Sequence, residues 1–138
     1  MLYVLLEVRP TKRARPHRPP LNLVLVIDRS TSMQGDRLGY VKAAAHHIIE
    51  ELEEGDRLAV VAFSDRAEVV VPNQPATQRA RIHARVSSIW ASGGTEIYRG
   101  LRLGLEEARR VRGDYLSHIL LLTDGHTYGD EGKCFAEA

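Results

Sequence analysis

Apolar and polar positions along this chain fall into blocks whose period changes abruptly. Leu21-Asn22-Leu23-Val24-Leu25-Val26-Ile27 is an almost unbroken apolar run that stops at Asp28. A run apolar on both faces predicts a central strand covered by helices on each side. After Gly35-Asp36 the period lengthens: Tyr40, Val41, Ala44, Ala45, Ile48, Ile49 and Leu52 recur at helical spacing up to Gly55, a good C-terminal stop. Arg57 to Phe63 predicts a second strand and Ala67 to Val71 a third. The short link Ser64-Asp65-Arg66 permits only an antiparallel hairpin, which Pro72 is expected to end. Ile82, Val86 and Ile89 predict a helix within Thr77 to Ile89. After Ser92-Gly93-Gly94 another helix is expected from Thr95 to about Val111, with Ile97, Leu101, Leu105 and Ala108 facing inward. Ser117 to Thr123 is a further double-sided apolar strand that stops at Asp124-Gly125. Tyr3 to Val8 reads as a short strand, and Lys133 to Ala138 as the start of a helix.

Strand, helix, hairpin, helices, strand is an α/β order. It predicts an open, mainly parallel, Rossmann-like sheet with helices on both faces and one antiparallel edge strand. Residues 1–20 divide off as an N-terminal strand and a linker rich in proline and basic residues, and residues 21–138 form the domain.

Composition narrows the function classes. With 138 residues, 43% hydrophobic and 27% charged, the chain suits one globular domain with a real core. A formal net charge of +1 gives no global field toward nucleic acid or a membrane surface. The basic run between Pro10 and Pro20 has no interleaved aromatic residue and reads as a solvated linker. Cys134 is the only cysteine, so neither an internal disulfide nor a cysteine zinc cage is available. No apolar run approaches the roughly 20 residues that span a bilayer. Met1 to Leu6 lacks the basic start of a signal peptide. A cytoplasmic protein is the expectation.

In an open parallel sheet, ligands bind beyond the carboxyl ends of the strands. Two central-type strands end there in Asp28 and Asp124, and Gly93-Gly94-Thr95 opens a helix between them. Asp28-Arg29-Ser30-Thr31-Ser32 places one carboxylate and two hydroxyls at alternate positions. The pooled donors Asp28, Ser30, Ser32, Thr95 and Asp124 are all oxygens, which selects a hard cation, Mg²⁺ or Mn²⁺ over Ca²⁺.

Asp28-Arg29-Ser30-Thr31-Ser32, Gly94-Thr95 and Thr123-Asp124-Gly125 resemble, in order, the three pieces of the metal-ion-dependent adhesion site of von Willebrand factor A-type domains. The resemblance covers about Leu21 to the C-terminus. It implies that Ser30, Ser32 and Thr95 bind Mg²⁺ directly or nearly so, with Asp28 and Asp124 direct or through water. It also implies that an Asp or Glu of a partner protein completes the ion and that no bond is made or broken. The family's final strands are missing from the sequence, which leaves Ser117 to Thr123 as an apolar edge. Either the sequence is truncated at its C-terminus, or self-association, a domain-swapped segment or a partner chain is expected to cover that edge; Tyr3 to Val8 either pairs there or belongs to a neighbouring β-rich module.

Blander readings stand beside these. Asp28 or Asp124 alone is an ordinary turn cap. His46 and His47 are expected to be satisfied or solvent-facing, His126 a rim residue, and Trp90 part of the core. The rival class is an enzyme. Apolar strands ending in Asp also resemble haloacid-dehalogenase-type phosphohydrolases, with Asp28 as nucleophile. That resemblance requires an acid two residues on, where this chain has Ser30. The reading is therefore a binding module rather than an enzyme.

Overall fold

The computed structural model describes residues 18–123. Its elements run β1 (Leu21–Asp28), a 3-10 turn (Thr31–Met33), α1 (Asp36–Glu51), β2 (Arg57–Phe63), β3 (Ala67–Pro75), α2 (Arg79–Ser87), α3 (Ile97–Arg109) and β4 (Leu116–Leu122). The strands form one sheet in the order β3-β2-β1-β4. β1 is parallel to both β2 and β4, and β3 is antiparallel to β2. The sheet is therefore open and mainly parallel with one antiparallel edge, as the element order predicts. The expected Tyr3 to Val8 strand, most of the basic linker and the Lys133 to Ala138 helix lie outside the described residues.

The double-sided apolar pattern of β1 has its cause in two separate cores. Leu23, Leu25 and Ile27 join Leu58, Val60 and Ala62 of β2 on one face, under Val41, Ala45 and Ile49 of α1 and Ile82 and Val86 of α2. Val24 and Val26 join Ala59, Val61 and Phe63 on the other, where Ile97, Leu103 and Ala108 of α3 pack. Helices thus cover both faces, and alternate residues of a strand feed different cores.

Four expectations need correction. Pro72 does not end β3, which runs on to Pro75 with its register shifted between Leu58 and Val61 of β2. An edge strand tolerates proline because one side of its backbone has no ladder partner to lose. In α3 the buried face is Gly100, Gly104 and Glu107, with Leu101 and Leu105 only half-buried on its flank. The glycines let the helix axis approach the sheet: a Cβ on Gly104 would lie 2.7 Å from Val26 Cγ2. Tyr40 and Ala44, expected on the inner stripe of α1, are exposed, Tyr40 to 68%, and Leu38 is buried instead. Trp90 is also 68% exposed and is not core.

Polar groups buried at the start of the strands are satisfied. Asn22 Nδ2 donates to Ala108 O (2.9 Å) and Ser117 Oγ (3.0 Å), while its Oδ1 accepts from Asn73 Nδ2 (2.8 Å). Glu107, 2% exposed, accepts from the Asn73 amide at 3.0 Å and pairs with Arg110 at 3.0 Å. Asp56 accepts from the Leu21 and Glu53 amides and, through both oxygens, from Arg18. Burial works to raise the Asp56 carboxyl, but the Arg18 hydrogen bonds and the two amides outweigh it and hold it below the usual carboxylate range. These braces sit at the amino ends of β1 and β2. The carboxyl ends are left for the loops.

Candidate metal centre

β1 and β4 run parallel in register up to the pair Ile27 and Leu122, so the residues that follow emerge side by side. Asp28, fully buried, ends β1. Its Oδ1 accepts the Ser30 amide at 2.8 Å, and its Oδ2 accepts the Thr123 hydroxyl at 2.7 Å. The first bond folds the chain back on itself and turns residues 28–30 out of the strand. The second ties that turn to the end of β4. Asp28 is thus the turn-forming residue of the bland reading and at the same time a carboxylate fixed in orientation.

Ser30 is buried and Ser32 exposed, yet their hydroxyls are hydrogen-bonded to each other at 2.9 Å. The 3-10 turn Thr31–Met33 brings them together, with Met33 buried beneath as its anchor. Thr95 is buried on the loop that precedes α3. That loop lies against residues 29–31: the Thr31 amide and hydroxyl both donate to Gly93 O at 3.0 Å, and Ser92 N donates to Arg29 O at 2.8 Å. Glu96 N donates to Ser64 O at 2.8 Å, which pins the loop to the end of β2 as well. Gly93 has φ +79°, a left-handed conformation that favours glycine, and a Cβ there would sit 2.5 Å from Asp65 Oδ1. Thr95 stands one residue before the cap position of α3. Glu96 holds the cap position, with no side-chain cap bond, and the helix starts at Ile97, two residues later than expected.

The structure therefore brings three parts of the predicted set to one sheet edge: Asp28, the Ser30–Ser32 pair and the Thr95 loop. Asp124 lies outside the described residues, as do Gly125 and His126. Among the described residues, no three carboxylate, imidazole or thiol groups converge on a metal position. A cation here would rest on hydroxyls and aspartates instead. The donor set is all oxygen and so suits a hard cation; adjacent ligands of a Mg²⁺ octahedron lie about 2.9 Å apart, a spacing the hydrogen-bonded Ser30 and Ser32 oxygens already have and would keep on turning to an ion.

Two supporting residues lie outside the predicted donor set. Thr123 holds Asp28; the sequence marks it only as the first residue of the Thr123-Asp124-Gly125 piece, with no role of its own. Arg29, between Asp28 and Ser30, donates to Ser92 Oγ at 2.7 Å, pairs with Glu68 at 3.4 Å and lies 5.9 Å from the centre of the Trp90 ring. Nothing in the local sequence announces those contacts. Beside them, a cleft of about 250 Å³ is walled by Glu68, Val70, Arg85, Ile89 and Trp90.

Comparison with known proteins bears on the whole arrangement. A family model for the von Willebrand factor type A domain matches residues 23–126. The uncharacterized protein sll0103 of Synechocystis is 46% identical over 132 residues, covering 94% of this chain and 31% of that protein. Among solved structures, a von Willebrand factor type A protein from Catenulispora acidiphila is 27% identical with TM-score 0.69, over 73% of this chain and 25% of that one. The pilus adhesin SpaC from Lactobacillus rhamnosus GG shares the fold, with TM-score 0.69 and 24% identity over 80% of this chain and 16% of its own. The chain thus spans a third or less of these relatives. By the family match and the sll0103 identity, the chain belongs to the von Willebrand factor type A domain family.

Proposed function

We propose that the chain is a divalent-metal-dependent protein-binding module. Ser30, Ser32 and Thr95, with Asp28 and Asp124 direct or through water, would hold one Mg²⁺ or Mn²⁺, and a partner protein would supply an Asp or Glu to it. The observation that carries this reading is the pair of Ser30 and Ser32 oxygens 2.9 Å apart beside a buried, fixed Asp28. When bound, the ion supplies a positive centre with two aspartates to balance it and neutral hydroxyls that leave it attractive to a further carboxylate. The chain's own residues pre-arrange the site. Thr123 and the Ser30 amide set the Asp28 carboxylate, and the Thr31–Gly93 contact holds the two loops together before any ligand arrives.

Domains of this family typically serve adhesion and protein–protein interaction, which favours binding over catalysis. The test is calorimetric titration of Mg²⁺ and Mn²⁺ into the full chain and into Ser30→Ala and Asp28→Asn. The expectation is binding that weakens about 10- to 100-fold in either variant, with circular dichroism unchanged. Undiminished metal binding would sink the proposal. Asp28-dependent hydrolysis of an aryl phosphate would replace it with the phosphohydrolase reading.

A further inference from the structure

Apart from the metal centre, four side chains form an unbroken hydrogen-bonded line between α1 and α2. His46 and Glu50 are one turn apart on α1, and His83 and Ser87 one turn apart on α2, so each pair shares a helix face. Ser87 Oγ is 3.2 Å from His46 Nε2, His46 Nδ1 is 2.7 Å from His83 Nδ1, and His83 Nε2 is 2.5 Å from Glu50 Oε1. The ring centroids are 4.8 Å apart.

Chemistry fixes where the protons go. An ionised Glu50 can only accept, so His83 Nε2 carries a hydrogen. In the neutral pair His83 Nδ1 is then the acceptor, His46 Nδ1–H the donor, and His46 Nε2 accepts from Ser87. Every ring nitrogen is satisfied. One added proton keeps the line intact, because the Ser87 hydroxyl can turn to accept from His46 Nε2–H while a single proton remains between the two Nδ1 atoms. A second added proton cannot be housed. Both Nδ1 atoms would then carry hydrogens aimed at each other across 2.7 Å, on two positive rings.

We propose that Ser87–His46–His83–Glu50 is a pH-sensitive clamp between α1 and α2, closed with at most one added proton and open when both imidazoles are charged. The charged neighbours on both helices set its balance. From α1, Lys42 donates to Ser87 O at 3.0 Å and adds positive charge near His46. From α2, Arg79 donates to Glu50 O at 3.0 Å and pairs with Glu50 Oε2 at 3.5 Å. Burial, then the His83 and Lys42 charges, pushes His46 below the ordinary histidine value, so the folded state resists charging this ring. The hydrogen bond from His83 holds Glu50 below the usual carboxylate range, so it stays an acceptor throughout. The sign follows: with His46 lowered in the folded state, its contribution is complete above about pH 6.5 and is lost as pH falls below that. α1 starts four residues after Ser32 and α2 ends six before Gly93, so the clamp fixes the two helices that flank the paired loops.

The experiment uses the full chain, labelled with ¹⁵N and treated with a chelator. A scalar coupling between His46 Nδ1 and His83 Nδ1 is expected at pH 7.5 and should vanish under mild acid. Urea unfolding from pH 7.5 to 5 should show the unfolding constant rising about tenfold for each pH unit by which His46 lies below the ordinary value. His46→Gln should remove that slope, and Ser87→Ala should shift its onset. Absence of the coupling, or a slope in His46→Gln equal to that of the unaltered chain, would overturn the proposal. So would a coupling or slope that appears only with added Zn²⁺, since the pair would then be a metal site.

Discussion

The Thr123 hydroxyl donates to Asp28 Oδ2 at 2.7 Å, joining residues 95 positions apart across the carboxyl ends of β4 and β1. Both residues are buried, so the bond has no water to replace it. Thr123→Val keeps the shape and leaves a buried carboxylate oxygen without its donor. The expected cost is about 1–3 kcal/mol of unfolding free energy, read by urea titration, and a Mg²⁺ affinity about 10- to 100-fold weaker. A variant with unaltered metal affinity would show that Thr123 does not position Asp28 for a ligand.

Gly100 marks the closest approach of α3 to the sheet. A Cβ there would overlap the Phe63 ring and meet Val26 Cγ1 at 3.0 Å. Gly100→Ala gains helix propensity but must displace α3 or the ring, and overpacking of this kind costs about 1–3 kcal/mol. Thermal unfolding should show a lowered midpoint, whereas a raised one would mean the helix can slide outward freely.

Asn22 is fully buried and links α3, β3 and β4 through its amide. Asn22→Leu leaves Asn73 Nδ2, Ser117 Oγ and Ala108 O each short of one partner. Chemical denaturation should register a loss of about 1–3 kcal/mol, and Asn22→Asp should not rescue it, because a carboxylate cannot donate to Ala108 O.

Acid should weaken the fold through Asp56. Its carboxyl is held below the usual range in the folded chain, so its stabilisation is present above about pH 4 and is lost as pH falls through its folded value. Asp56→Asn should flatten the stability profile below pH 4 while lowering stability at neutral pH. A profile as steep as before would assign the acid transition to other carboxyls.

Trp90 is the only tryptophan, is 68% exposed and sits beside Arg29. Its emission should be solvent-like and readily quenched by acrylamide. Trp90→Ala should change stability by less than about 1 kcal/mol, since little apolar area is lost from the core. A blue-shifted, protected emission would show that the cleft beside Glu68 is occupied in solution.

The sequence by itself determined the sheet, because period is a local property. Two-sided apolar runs in Leu21 to Ile27 and Arg57 to Phe63 could only be covered strands, and a three-residue link could only make a hairpin. It also singled out Asp28, Ser30, Ser32 and Thr95 as candidate donors, since strand ends and glycine turns are written locally. Contacts across long separations were decided by tertiary structure alone. Thr123 on Asp28, Arg29 on Ser92, and His46 on His83 depend on which strands are neighbours and how far each helix leans in. Gly100, Gly104 and Glu107 displaced the expected leucines of α3 for the same reason: close approach to β1 puts a premium on small residues and leaves room for one bonded carboxylate. Pro72 and Trp90 were misread because the edge of a sheet and the surface of a loop are positions in space, and hydropathy records only what a residue is, not where the fold leaves it.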